Sequence, residues 1–226
     1  MKNIGLSVLC ACSVLFLFFC EKDKEENDAV VISSKGNIEN DVNKFRQLLG
    51  DPLNTVTGVT TGRREINWDG VPDSLVGKQL PNDFFNPTEA GASVARQRGL
   101  AYLPGGGEFR ISNANFTEVN SQAAAQFSSF SGNKTFANIS SNLWPVDFQV
   151  AGQQKAAAVK GFGAVFSDVD LTNSTSLEFF NGSRSLGKYF VPPHNATSSF
   201  SFLGVYFKNG ETITRVLVSH KGFLSG

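Results

Sequence analysis

Gly161-Phe162-Gly163-Ala164-Val165-Phe166-Ser167-Asp168-Val169-Asp170 is the stretch that decides the fold. Phe162, Ala164 and Phe166 fall on one face, while Val165, Val169 and Leu171 fall on the other. A period of two over this length predicts a β-strand. Apolar residues on both faces predict a central strand, covered from both sides. The same rhythm recurs outward from it. It predicts strands at Arg64–Trp68, Ser93–Leu103, Glu108–Ser112, Val146–Val150, Ser176–Phe180, Leu186–Val191, Ser199–Phe207 and Thr212–Ser219, with the stretch itself extending over Ala158–Val169. Asn181-Gly182 and Asn209-Gly210 each separate two apolar runs, and Asn-Gly suits the positive φ angles of tight hairpins. Short strands with Gly-rich punctuation predict an all-β fold, a jelly-roll-like β-sandwich. No internal repeat of fixed period is present, and the Ser/Ala/Asn-rich stretch 120–142 reads as a long loop or weakly formed edge strands.

Before the strands, Ile38, Val42, Phe45, Leu48 and Leu49 fall at helical spacing, with Asn37 as N-cap and Gly50 and Pro52 as the stop. This predicts one N-terminal amphipathic helix, packed on the sheet or bridging it to what precedes. Composition agrees with a strand-and-turn protein: 22 Gly, 21 Phe and only 2 Trp among 226 residues. Lys and Arg number 20, as do Asp and Glu. That balance leaves no basic footprint for nucleic acid.

The three cysteines, Cys10, Cys12 and Cys20, all lie in the first 20 residues, so the remaining chain has no disulfide, thiolate metal site or thiol nucleophile. Lys2 followed by the apolar run Ile4–Phe19 reads as a targeting segment. Those sixteen residues span ~24 Å as a helix, short of the ~30 Å hydrocarbon core. The polar octet Glu21-Lys22-Asp23-Lys24-Glu25-Glu26-Asn27-Asp28 follows Cys20 directly. The expected organisation is a lipoprotein signal peptide at 1–19, an acidic tether at 20–37, in which Ala29–Ser33 could pair as a short strand, and the sandwich at 38–226. Cys20 is the expected lipidation site, although Phe19 is bulky for the position before it and Leu9-Cys10-Ala11-Cys12 fits a lipobox better locally.

Two resemblances follow from these residues. The run Cys20-Glu21-Lys22-Asp23 resembles the start of mature Bacteroidetes-type lipoproteins, which implies export to the outer membrane or cell surface with a lipid anchor. Gly62-Arg63-Arg64-Glu65-Ile66-Asn67-Trp68-Asp69-Gly70-Val71-Pro72, Leu80–Asn86, Gly161–Asp170 and Phe202–Val205 resemble a family of uncharacterised bacterial secreted proteins. That resemblance implies a jelly-roll sandwich comparable in shape to carbohydrate-binding modules, and it implies no catalytic residues. The family pattern continues past the last hairpin into a further acidic-aromatic strand, whereas here Phe223-Leu224-Ser225-Gly226 follows. Either the sandwich lacks that strand or the chain is truncated, and an unpaired edge would then be exposed.

Candidate site residues fall in two blocks. Trp68 could stack on a sugar ring while Asn67 and Asp69 hydrogen-bond its hydroxyls; equally, Arg64 could pair with Glu65, Trp68 could be core and Asp69-Gly70 could turn the chain. Asp168, Asp170 and Asn173 could hold Ca²⁺ at a strand end, or the carboxylates could cap amides or pair with Arg184 or Arg215. Trp144 is a second aromatic platform or a packing residue. His194 and His220, the only histidines, read as solvated. No nucleophile elbow, zinc-protease motif or phosphate loop is present; Gly105-Gly106-Gly107 reads as a turn. Asp73-Ser74-Leu75 resembles a short bacterial O-glycosylation motif. The expectation is a binding protein rather than an enzyme: a surface-anchored lipoprotein whose sandwich binds an extracellular glycan, or an adhesive envelope protein that binds other proteins through sheet edges.

Overall fold

A computed structural model describes residues 28–102 and 105–221. The leader, Cys20 with its acidic flank and the terminal Phe223–Gly226 lie outside the described residues. The fold is an all-β sandwich with one helix. Its strands are β1 (Ala29–Lys35), β2 (Leu100–Tyr102), β3 (Phe109–Ser112), β4 (Thr135–Asn138), β5 (Leu143–Phe148), β6 (Gly161–Ser167), β7 (Ser176–Asn181), β8 (Arg184–Phe190), β9 (Phe200–Phe207) and β10 (Arg215–Ser219). The helix, α1, spans Glu39–Leu49. No helix among the described residues is long and apolar enough to cross a membrane.

The strands form a three-stranded sheet ordered β1-β9-β6, a five-stranded sheet ordered β2-β5-β10-β7-β8, and the small β3-β4 sheet. All named pairings are antiparallel. The chain crosses between the two main sheets after β1, β5, β6, β8 and β9, the jelly-roll-like habit expected from the sequence. Alternation along each strand sends one set of side chains inward. Leu203, Val205 and Phe207 of β9 thus meet Leu177 and Phe179 of β7 and Val216 and Val218 of β10 in one buried core. Phe148 of β5 meets Phe162 of β6 edge-on at 5.8 Å, and Phe179 meets Phe207 at 5.8 Å, so aromatic pairs tie sheet to sheet.

The helix covers the outer face of the three-stranded sheet. Ile38, Val42 and Phe45 bury themselves against Phe202, with Val165 and Tyr206 beside them. Glycines make that approach possible. A Cβ on Gly204 or Gly163 would stand 2.7 or 2.8 Å from the Phe45 ring, and one on Gly161 would stand 2.8 Å from Leu49. The helix begins at Ile38 without a side-chain cap, so Asn37 does not serve as its N-cap. Gly50, at φ 94°, ends it as expected and donates its N–H to the Arg46 and Gln47 carbonyls.

Several expectations need correction. The whole of β1 lies within the stretch expected as a tether, and pairs with β9 from Ala29↔Phe207 to Lys35↔Ser201, so the sandwich begins at residue 29 rather than 38. β6 is not a central strand: it is the edge of its sheet and pairs only with β9. Its outer apolar face is satisfied by the helix, not by a second flanking strand. Arg64–Trp68 forms no strand; Asn67 accepts the Asp69 N–H and starts a 3-10 turn over Trp68–Gly70 instead. Among the described residues of Ser93–Leu103, only Leu100–Tyr102 pairs. The 120–142 stretch contains one regular strand, β4, paired to β3.

The Asn-Gly turns also diverge. The first joins a true hairpin, β7-β8, with Gly182 at φ 59°. At the second, Asn209 and Gly210 both have positive φ, 56° and 84°. Yet β9 and β10 belong to opposite sheets, so this turn is an arch between layers. Buried Ile213 pairs back with Val159 in an isolated bridge and carries the chain across.

Candidate functional site

A groove of about 1620 Å³ runs beside β6, larger than the usual small-molecule site. Every β6 residue lines it, and every one is only half-buried. Phe162, Phe166, Phe148, Phe136 and Trp68 give it an aromatic floor, while the loops around 58–67 and 126–131 supply its walls. Ser128 fixes one wall to the strand end, donating its N–H to the Ser167 Oγ and its hydroxyl to the Ser198 carbonyl. A network of Arg46, Arg63 and Glu65 braces the other against α1. Burial pushes the Glu65 carboxyl up, but hydrogen bonds from Arg63 and Arg46 outweigh it and hold the group below the usual carboxylate range. Glu65 therefore pairs with Arg63 and Arg46 rather than with Arg64.

The backbone of β6 presents unpaired groups to this groove. The Phe207 N–H donates to the Lys160 carbonyl and the Asp168 N–H to the Ser199 carbonyl. In an antiparallel ladder those bonds fix the parity. Phe162, Ala164 and Phe166 turn their backbone groups toward β9, and Gly161, Gly163, Val165 and Ser167 turn theirs outward. No backbone partner meets that outward set among the described residues. Nor does the strand carry a charge, a proline or a bulge, the devices that usually blunt an edge. β1, at the other side of the same sheet, carries Lys35 and contributes nothing to the groove.

Four of the six expected site residues meet on this groove: Asn67, Trp68, Asp168 and Asp170 line it. Asp69 and Asn173 do not. Trp68 is half-buried and stacks on Phe136 at 4.5 Å and 11°, with Phe85 edge-on at 5.5 Å. Phe136 in turn stacks near Tyr102 and Phe109, so Trp68 is the outermost plate of an aromatic pile. Asn67 is engaged as the cap of the turn that carries it. Asp69 accepts the Asn133 N–H at 2.9 Å and packs against Gly132, where any Cβ would collide with its carboxylate. It is a loop clamp. Asn173 takes a left-handed backbone at φ 59° in the turn after β6.

Asp168 and Asp170 have no cationic partner among the described residues; Arg184 pairs with Glu211, and Arg215 with Asp147. Burial, then the neighbouring Asp170 charge, push the Asp168 carboxyl up. Among the described residues no group of three or more His, Cys, Asp or Glu side chains is arranged to hold a metal ion. Oxygens beyond the carboxylate pair would have to come from backbone or solvent for Ca²⁺ to bind here.

The opposite end of the groove is basic, and the sequence motifs did not single it out. Arg64 and Arg98 line it, with Lys160 beside the start of β6. Neither arginine has a carboxylate partner among the described residues. Arg64 donates to the Val56 and Val59 carbonyls, and Arg98 to the Asn54 carbonyl, which leaves both cationic. Arg64 Nη1 is buried and unmatched. Burial, then the charge of Arg98, lower the Arg64 pKa.

The remaining candidates take other places, although Trp144 and His220 also border the groove. Trp144 is buried in β5, edge-on to Phe109 and to His220. His194 is half-buried rather than solvated, and its backbone N–H donates to the Val169 carbonyl at 2.7 Å. Gly105-Gly106-Gly107 is a turn, held where Asn138 donates to the Gly106 carbonyl. Ser74 is exposed in a short 3-10 turn whose Asp73 pairs with Lys134. Protein-family models, curated proteins and solved structures offer no match to this chain.

Proposed function

We propose that this chain is an exported, lipid-anchored envelope protein whose sandwich binds an extended segment of another protein in the groove beside β6. The anchor is Cys20, and the site of action is the outer membrane or cell surface. The carrying observation is the outward-facing ladder of Gly161, Gly163, Val165 and Ser167, unpaired and set against an aromatic floor. An added strand would satisfy those amides and carbonyls while its alternate side chains covered Phe162 and Phe166. Binding rather than catalysis is the role, since the site offers hydrogen-bonding edges and rings rather than an activated nucleophile.

A second reading keeps the glycan. Trp68 and Asn67 both line the groove, and an indole plate beside a polar cap could take a sugar ring. Ca²⁺ at Asp168 and Asp170 belongs to this reading as a helper. One experiment separates the two: the mature chain is assayed against immobilised extended peptides and against a polysaccharide panel, with and without Ca²⁺. The expected outcome is peptide capture indifferent to Ca²⁺. Polysaccharide capture without peptide capture would overturn the strand reading in favour of the glycan.

A further inference from the structure

The two ends of the groove carry unneutralised charge of opposite sign. Arg64, Arg98 and Lys160 gather at the Gly161 end, where α1 terminates and β2 begins. The placement of Arg98 follows from its neighbours: Gln149 donates to the Gly99 carbonyl, Leu100 pairs with Phe148, and Phe148 packs on Phe162. Asp168 and Asp170 sit just past the other end of the strand. Seven residues of β6 set these ends about 23 Å apart.

Each end holds like charges together. Arg64 stands close enough to Arg98 to feel its charge, and Asp168 close enough to Asp170; none of the four forms an ion pair among the described residues, although Glu65 and Lys221 also line the groove. Like-charge pairs left uncompensated beside a concavity are a mark of a site built for a ligand rather than for stability.

We propose that the groove selects its occupant by charge polarity. The occupant is an extended segment of a partner protein lying antiparallel to β6. A basic residue near its N-terminal end meets Asp168 and Asp170, and an acidic residue about seven positions later meets Arg64 and Arg98. The antiparallel sense follows the rest of the sheet, in which both pairings are antiparallel. This inference rests on the strand-addition reading and adds the partner's chemistry to it.

Two capped peptides of identical composition test it: Lys-Thr-Val-Thr-Val-Thr-Val-Glu and its charge-reversed form Glu-Thr-Val-Thr-Val-Thr-Val-Lys. Affinity for the mature chain is measured by calorimetry at low salt. The first is expected to bind about tenfold tighter, since each end exchanges an attraction for a repulsion of modest size. Asp170→Lys tests one end alone. Asp170 is exposed and makes no side-chain bond in the fold, so the variant is expected to fold normally and to lose most of the preference. Equal binding of the two peptides, or an unchanged ratio in Asp170→Lys, would overturn the polarity while leaving strand addition standing. Binding of neither peptide would remove both.

Discussion

The free edges of β6 and β8 belong to the same sandwich and are treated in opposite ways. β8 carries Arg184 and Lys188, ion-paired to Glu211 and Glu178, and the ladder beside it is interrupted by a bulge at Phe179/Phe180. Charge and irregularity make such an edge a poor template for another strand. β6 has neither protection, includes two glycines, and opens onto rings rather than onto water. The walls around β6 replace the missing protection. They hinder the flat edge of another globular sheet while leaving room for a single extended segment. The proposed strand addition accounts for this difference.

The comparison can be broken most forcefully from behind β6. Phe45 fills the space left by Gly163 and Gly204, and pins the helix to the sheet that carries the edge. Phe45→Ala is expected to cost about 3 kcal/mol, measured by denaturant unfolding. A loss under about 1 kcal/mol would mean that the helix does not hold the strand in place.

A second test acts on the two edges alike. Proline at a residue whose N–H points outward removes no internal bond. Val165 meets that condition in β6. Lys188 meets it in β8, because the Val191 N–H donates to the Thr175 carbonyl and fixes the parity there. Val165→Pro and Lys188→Pro are each expected to lose no more than about 1 kcal/mol of stability. Peptide binding, followed by calorimetry, should vanish in the first and survive in the second.

The smallest effect sharpens the acidic end. The Asp168 carboxyl is raised in the folded state. Its protonated form therefore favours folding, and that contribution is lost as pH rises through its elevated pKa. Asp168→Asn is expected to raise stability at pH 7 by no more than about 0.5 kcal/mol after solvent screening, and to leave it unchanged below the ordinary carboxylate range. Asparagine suits the left-handed backbone at this position, φ 63°, so the substitution tests charge rather than conformation. Thermal melts at pH 7 and pH 3 measure the difference.

What could be read from the sequence was what is local. The α1 stripe of Ile38, Val42 and Phe45 and the β7-β8 turn at Gly182 depend on neighbours in the chain, and both were legible. The arch at Asn209-Gly210 was not, because a hairpin and an arch use the same turn chemistry and differ only in where Ile213 later pairs. Two-faced apolar patterning in β6 reads as a central strand, but a helix on one face and an open aromatic groove at the side satisfy it as well. Asn67 and Asp69 look like ligand groups in sequence because a capping amide and a loop-clamping carboxylate use the same atoms that a sugar site would. The basic end escaped notice for a different reason: Arg64 and Arg98 are 34 positions apart in sequence and acquire meaning only beside each other.

Amide hydrogen exchange along β6 tests the bare edge most directly. In the free protein, Phe162, Ala164 and Phe166 are expected to exchange slowly, and Gly163 and Val165 quickly. Saturation with the Lys-first peptide should slow Gly163 and Val165 and leave the even residues as they were. Gly163 and Val165 already protected in the free protein, or still unprotected with peptide bound, would contradict the account.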